Sequence, residues 1–130
     1  MKNNHRQIAL VVDDEIDNLQ IMAQMLEFEG IEVHTAKSGD YALEMLKSIT
    51  PDFMLVDINM PRMNGWALLD HLRANPRLAR IPVIAVTAHA LINDRDKILD
   101  YGFDGYIPKP VDLRHLVANI NAWINHRAAA

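Results

Sequence analysis

Ile8-Ala9-Leu10-Val11-Val12-Asp13-Asp14-Glu15 is an apolar run of strand length that stops abruptly at three acids. A strand that is apolar throughout is buried on both faces. Such strands usually lie in a parallel sheet covered by helices. Outward from this run the same pattern repeats. Ile31 to Ala36 is a weaker second strand, Phe53-Met54-Leu55-Val56 a third and Ile81 to Val86 a fourth. Tyr106-Ile107, between Gly105 and Pro108, is a short fifth.

Helix-period segments fill the gaps. Ile16, Leu19, Ala23 and Leu26 form one stripe, with Gly30 as its stop. Ala42, Met45, Leu46 and Ile49 form a second, ended by Pro51, and Leu68, Leu69 and Leu72 a third, ended before Pro76. Leu91, Ile92, Ile98 and Leu99 form a looser fourth, stopped at Gly102. Leu113, Leu116, Val117, Ile120, Trp123 and Ile124 form the last, with Asp112 as N-cap. Strands and helices in strict alternation predict an α/β, doubly wound, flavodoxin-like fold on a five-stranded parallel sheet.

Composition narrows the function. The 130 residues suit one domain, taken as 1–130 with a core over about 8–125. At 50% hydrophobic and 23% charged, the chain is not a disordered one. The absence of cysteine excludes disulfides, thiol catalysis and cysteine-ligated metals. A net charge of -4 without a basic block argues against direct nucleic-acid binding. No apolar run approaches the roughly 20 residues that span a bilayer, and none has the form of a signal peptide. A cytoplasmic protein is expected.

Open parallel sheets bind ligands at the carboxyl ends of their strands. There the sequence sets Asp13-Asp14-Glu15 after strand one, Asp57 and Asn59 after strand three, Thr87 after strand four, and Lys109-Pro110 after strand five. With strand order 2-1-3-4-5, Asp13, Asp14 and Asp57 converge, with Thr87 and Lys109 opposite. Converging carboxylates repel unless a cation joins them. Hard oxygen donors favour Mg²⁺, or Mn²⁺. Such a site suits phosphoryl chemistry with a carboxylate nucleophile. Taken singly each residue has a plainer reading. Asp14 serves equally as a helix N-cap, Glu15 as a charge favouring a helix N-terminus, Thr87 as a loop hydroxyl and Lys109 as a solvated lysine.

The set resembles the receiver domain of two-component response regulators, chemotaxis regulators among them, which share that strand order. The resemblance rests on Val11 to Glu15, Leu55 to Gly65, Ile84 to Ala88, and Gly102 to Pro110. It implies that Asp57 is the phospho-acceptor, taking a phosphoryl group from a phosphohistidine on a histidine kinase or histidine phosphotransfer protein. It implies direct Mg²⁺ ligation by Asp14, Asp57 and the backbone carbonyl of Asn59, with Asp13 acting through a water. Thr87 and Lys109 would bind phosphoryl oxygens, Ala88 would leave room for the incoming group, and Tyr106 would be the aromatic switch. Lys109–Pro110 would be a cis peptide. Gly65 fits a tight turn before the third helix, which Trp66 starts. Asn59 and His89 would flank the path of attacking water and tune phosphoryl lifetime.

The resemblance places an output surface on helix four, strand five and helix five, for an unnamed downstream protein. Tyr101, where relatives carry small residues, is expected to alter packing on that face. The sequence shows no output domain, so the chain reads as a stand-alone or excised receiver. It is then no enzyme beyond its own phosphorylation and dephosphorylation. Two other readings share the fold. An aspartyl-phosphate phosphatase would set its nucleophile in an Asp-x-Asp pattern after strand one and carry a cap domain. A flavin protein would carry a Ser/Thr/Gly-rich loop where Asp13-Asp14-Glu15 stands. A degenerate receiver that binds a partner constitutively is the last alternative.

Overall fold

In the computed structural model, which describes residues 6–88 and 92–129, parallel pairing joins five strands in the order β2-β1-β3-β4-β5. These are β1 (Ile8–Val12), β2 (Glu32–Ala36), β3 (Phe53–Asp57), β4 (Val83–Thr87) and β5 (Gly105–Pro108). They alternate with α1 (Ile16–Phe28), α2 (Gly39–Met45), α3 (Gly65–Ala74), α4 (Ile92–Tyr101) and α5 (Leu116–Ala129).

The two-residue period of the strands divides the core into two. Ala9, Val11, Phe53 and Leu55 point to one face, where Leu19, Met22 and Leu26 of α1 and Leu116 and Ile120 of α5 cover them. Leu10, Val12, Met54 and Val56 point to the other, beneath Ala42 of α2, Leu68, Leu69 and Leu72 of α3, and Ile98 of α4. Both faces of β1, β3 and β4 are thus sealed, and their polar atoms reach solvent only at the strand ends. Burying each large aliphatic side chain contributes about 1.5–3 kcal/mol to this arrangement.

Several boundaries differ from those the sequence suggests. Ile31 is not in β2. Its N–H bonds to Leu26 O and that of Gly30 to Glu27 O, closing α1 with a reversal that Gly30 permits at φ 86°. Helix α2 stops at Met45, short of Ile49, in a turn through Lys47 and Ser48. Ile81 is buried before β4, its N–H on Leu78 O. Leu113 begins a 3-10 turn, Leu113–His115, rather than α5. Asp112 heads that turn but its carboxylate bonds to His115 Nδ1 at 2.7 Å and caps no backbone N–H. Ile16 and Leu99 are partly exposed, at 48% and 37%, rather than core. Leu91 lies outside the described residues.

Tyr101 is also placed differently. Its ring packs edge-on against Trp66 of α3, 4.8 Å between centroids, and its hydroxyl donates to Asp70 Oδ2 at 2.7 Å. That bond raises the Tyr101 pKa, because the nearby carboxylate disfavours phenolate. Tyr101 therefore ties α4 to α3.

Candidate functional site

Strands β1 and β3 are neighbours, so the acids that follow them meet at one sheet edge. Carboxylate oxygens of Asp13, Asp14 and Asp57 lie within 4.8 Å of one another. Asp13 is wholly buried and Asp57 nearly so, whereas Asp14 is exposed. Asp13 Oδ1 accepts the Glu15 N–H at 2.8 Å, and Asp57 Oδ1 accepts the Asn59 N–H at 3.2 Å. The N-cap position of α1 falls to Glu15, without a side-chain cap, so Asp14 is not that cap.

Lys109 enters from the end of β5. Its N–H donates to Thr87 O at 2.8 Å, which anchors the chain after β5 against β4. Its ammonium lies 3.2 Å from Asp13 Oδ2, 3.4 Å from Glu15 Oε1 and 3.5 Å from Asp57 Oδ2. Burial opposes the charge on Lys109, but Asp13 and Asp57 outweigh it and hold its pKa above the ordinary lysine value. Asp57 moves the other way. Burial first, then the Asp13 charge, push it up to about 6, and Lys109 offsets only part of this. Thr87 is buried at the end of β4, and Ala88 is exposed beside it. An open cleft is lined by Asp14, Glu15, Asp57, Asn59, Ala88 and Lys109.

Gly65 is required by a close approach more than by a turn. A Cβ there would lie 2.8 Å from Asp57 O and from Ile58 Cα, with its own N–H bonded to Ile58 O at 2.9 Å. Tyr106 is half-buried against Trp123, 5.1 Å between centroids, with the Arg95 guanidinium 5.4 Å from its ring centre. The Lys109–Pro110 peptide is cis. His89 lies outside the described residues. Glu15 is the residue whose place the sequence reading underrates. Its proximity to Asp13 and Asp14 was visible, but its reach to a lysine 94 positions away was not.

The donor set fits a hard divalent cation. All candidate ligands are oxygens, and the buried Asp13 Oδ2 faces Lys109 without an aligned hydrogen bond. The raised Asp57 pKa reports burial first and the Asp13 charge second, and a dication would offset both by favouring the carboxylate.

The chain matches the family model of the response regulator receiver domain over residues 9–121, and it belongs to that family. Family members are signalling modules that interact with histidine kinases and downstream targets, and they typically bind Mg²⁺. It is 31% identical to the polar-differentiation response regulator DivK of Brucella abortus over 116 residues, 89% of this chain and 94% of that one. Its fold matches the chemotaxis response regulator CheY4 of Vibrio cholerae with a TM-score of 0.86 at 25% identity, covering 92% of this chain and 99% of that one. A CheY-like receiver domain protein from Methanospirillum hungatei matches with a TM-score of 0.81 at 31% identity, covering 96% and 98%. Among the described residues no helix is long and apolar enough to cross a membrane.

Proposed function

We propose that this chain is a single phospho-acceptor receiver of a cytoplasmic phosphorelay, with Asp57 as the acceptor. The observation that carries the reading is the set of three carboxylates within 4.8 Å, with a lysine ammonium 3.5 Å from Asp57 Oδ2. In the reaction an Asp57 carboxylate oxygen attacks the phosphorus of a phosphohistidine. The O–P bond forms, the N–P bond breaks, and the imidazole leaves with the electron pair.

Asp14, Asp57 and the Asn59 carbonyl would hold Mg²⁺, or Mn²⁺, directly, with Asp13 acting through a water. When bound, the cation neutralises charge on the transferred group. Lys109 supplies a point charge to the phosphoryl oxygens, and Thr87 a short hydroxyl donor from the next strand. Ala88 has no bulk to obstruct the donor, and Asn59 borders the cleft where water would approach. Gly65 lets α3 press against the Asp57 backbone.

The new charge on Asp57 draws Lys109 and Thr87 toward it and shifts a two-state equilibrium. Tyr106, whose ring lies near both Arg95 of α4 and Trp123 of α5, would carry that shift to the face of α4, β5 and α5 for a downstream protein. The test is intact mass after incubation with Mg²⁺ and a small acyl phosphate. One phosphoryl adduct is expected, absent with EDTA and in Asp57→Asn. An adduct that persists in Asp57→Asn would overturn the acceptor assignment.

A further inference from the structure

Glu15 has no role in the scheme above, yet it contacts the lysine on which that scheme depends. An ammonium has three N–H donors. That of Lys109 faces three carboxylates, Asp13, Glu15 and Asp57, at 3.2, 3.4 and 3.5 Å. The three differ in solvent access. The side chains of Asp13 and Asp57 are 0% and 5% exposed, and that of Glu15 is 66% exposed. Glu15 is held in place from two directions. Its backbone N–H donates to Asp13 Oδ1 at 2.8 Å. Asn18 Nδ2, one turn along α1, donates at 2.6 Å to Oε1, the same oxygen that faces Lys109.

We propose that Glu15, aimed by Asn18, is a positioning residue that competes with the phosphoryl group of Asp57 for Lys109. The proposal rests on the receiver reading. A phosphoryl oxygen on Asp57 needs a donor from Lys109, whose ammonium is aligned for a hydrogen bond on Glu15 Oε1 while Asp13 Oδ2 holds it by charge alone. Withdrawing from Asp13 would strand a wholly buried oxygen that has no aligned hydrogen bond. Withdrawing from Glu15 lets water take the vacated place. Glu15 is therefore the contact that yields, and its pull sets how readily Lys109 turns to the phosphoryl group. The ion pair is exposed, and such pairs are weak. The effect is a graded adjustment of the phosphorylated state rather than a gate.

The test is the affinity for beryllium fluoride, a phosphoryl mimic, in the presence of Mg²⁺. Calorimetry would compare the wild-type chain with Glu15→Gln, Asn18→Ala and the double variant. Glu15→Gln is expected to bind roughly two- to fivefold tighter, the range of an exposed ion pair. Asn18→Ala retains every charge, so it separates aiming from bare electrostatics. It is expected to shift affinity in the same direction, and the double variant to gain nothing beyond Glu15→Gln. Wild-type binding with Glu15→Gln unchanged or weaker would overturn the Glu15 assignment alone. Tighter binding by Glu15→Gln with Asn18→Ala at the wild-type value would reduce Glu15 to a charge and overturn its positioning role. Absence of binding by the wild-type chain would overturn the receiver reading and this proposal with it.

Discussion

Asp57 sits buried in the site beside two charged neighbours, Asp13 and Lys109. Its ordinary pKa of 3.8 is pushed up to about 6 by burial and by Asp13. Between those values the folded chain binds the proton more tightly than the unfolded chain. The contribution of Asp57 to stability is therefore fully present below about 4 and is lost as pH rises through about 6. In EDTA at neutral pH, Asp57→Asn should unfold at a higher temperature than wild type. The gain should be about 1–3 kcal/mol, converted from the shift, and should vanish near pH 4. Added Mg²⁺ should raise the wild-type Tm more at pH 7.5 than at pH 5.5, where protons compete for the same oxygens, and should affect Asp57→Asn little. Thermal melts by circular dichroism at both pH values check each point. The positions of Asp13, Asp14, Asp57, Thr87 and Lys109 were legible because each ends or follows an apolar run. The pairing of Glu15 with Lys109 was not, because an acid at a helix start has a sufficient local explanation.

At the scale of elements, the junction of β3 and α3 controls the backbone geometry of Asp57. Gly65 leaves α3 directly against the backbone of Asp57 and Ile58, and neither neighbour has a flexible end that could move aside. Gly65→Ala should cost about 1–3 kcal/mol by overpacking and should also slow phosphorylation, because relief requires the Asp57 backbone to move. Chemical denaturation together with the rate of acyl-phosphate labelling would separate the two effects. The positions of β1, β3 and β4 were readable from continuous apolar runs, since a strand sealed on both faces has no other composition. Helix ends were less so. Ile49 continues the stripe of α2, but the backbone turns away after Met45. Tyr101 shows the same limit, since spacing places it on α4 while its partners Trp66 and Asp70 belong to α3.

Across the whole molecule, the two edges of the sheet have different tasks. The edge after the strands crowds like charges. The edge before β4 pairs opposite ones. There Asp104 Oδ2 accepts Arg73 Nη2 at 2.9 Å and the Val83 N–H at 2.8 Å, and Oδ1 meets Arg127 Nε at 3.0 Å. One carboxylate thus joins α3, β4 and α5. Asp104→Ala would take the acceptor from the Val83 N–H and the shared carboxylate from Arg73 and Arg127, which keep only backbone carbonyls, at a cost of about 2–4 kcal/mol. The expected fall in Tm is roughly 7–15 °C for a domain of this size, with acyl-phosphate labelling of the folded chain unchanged. This tie was not visible in the sequence, where Asp104 reads only as a loop acid between Phe103 and Gly105. The site at the opposite edge was visible because a parallel sheet gathers its strand ends by topology alone.

The central claim is that Asp57, and no neighbouring acid, receives the phosphoryl group. Borohydride reduction of the phosphorylated chain, followed by peptide sequencing, tests it most directly, because an aspartyl phosphate is reduced to homoserine at the residue that carried it. Homoserine at position 57 alone is the expected result. Homoserine at position 13 or 14, or a phosphoryl adduct that leaves position 57 unreduced, would contradict the account.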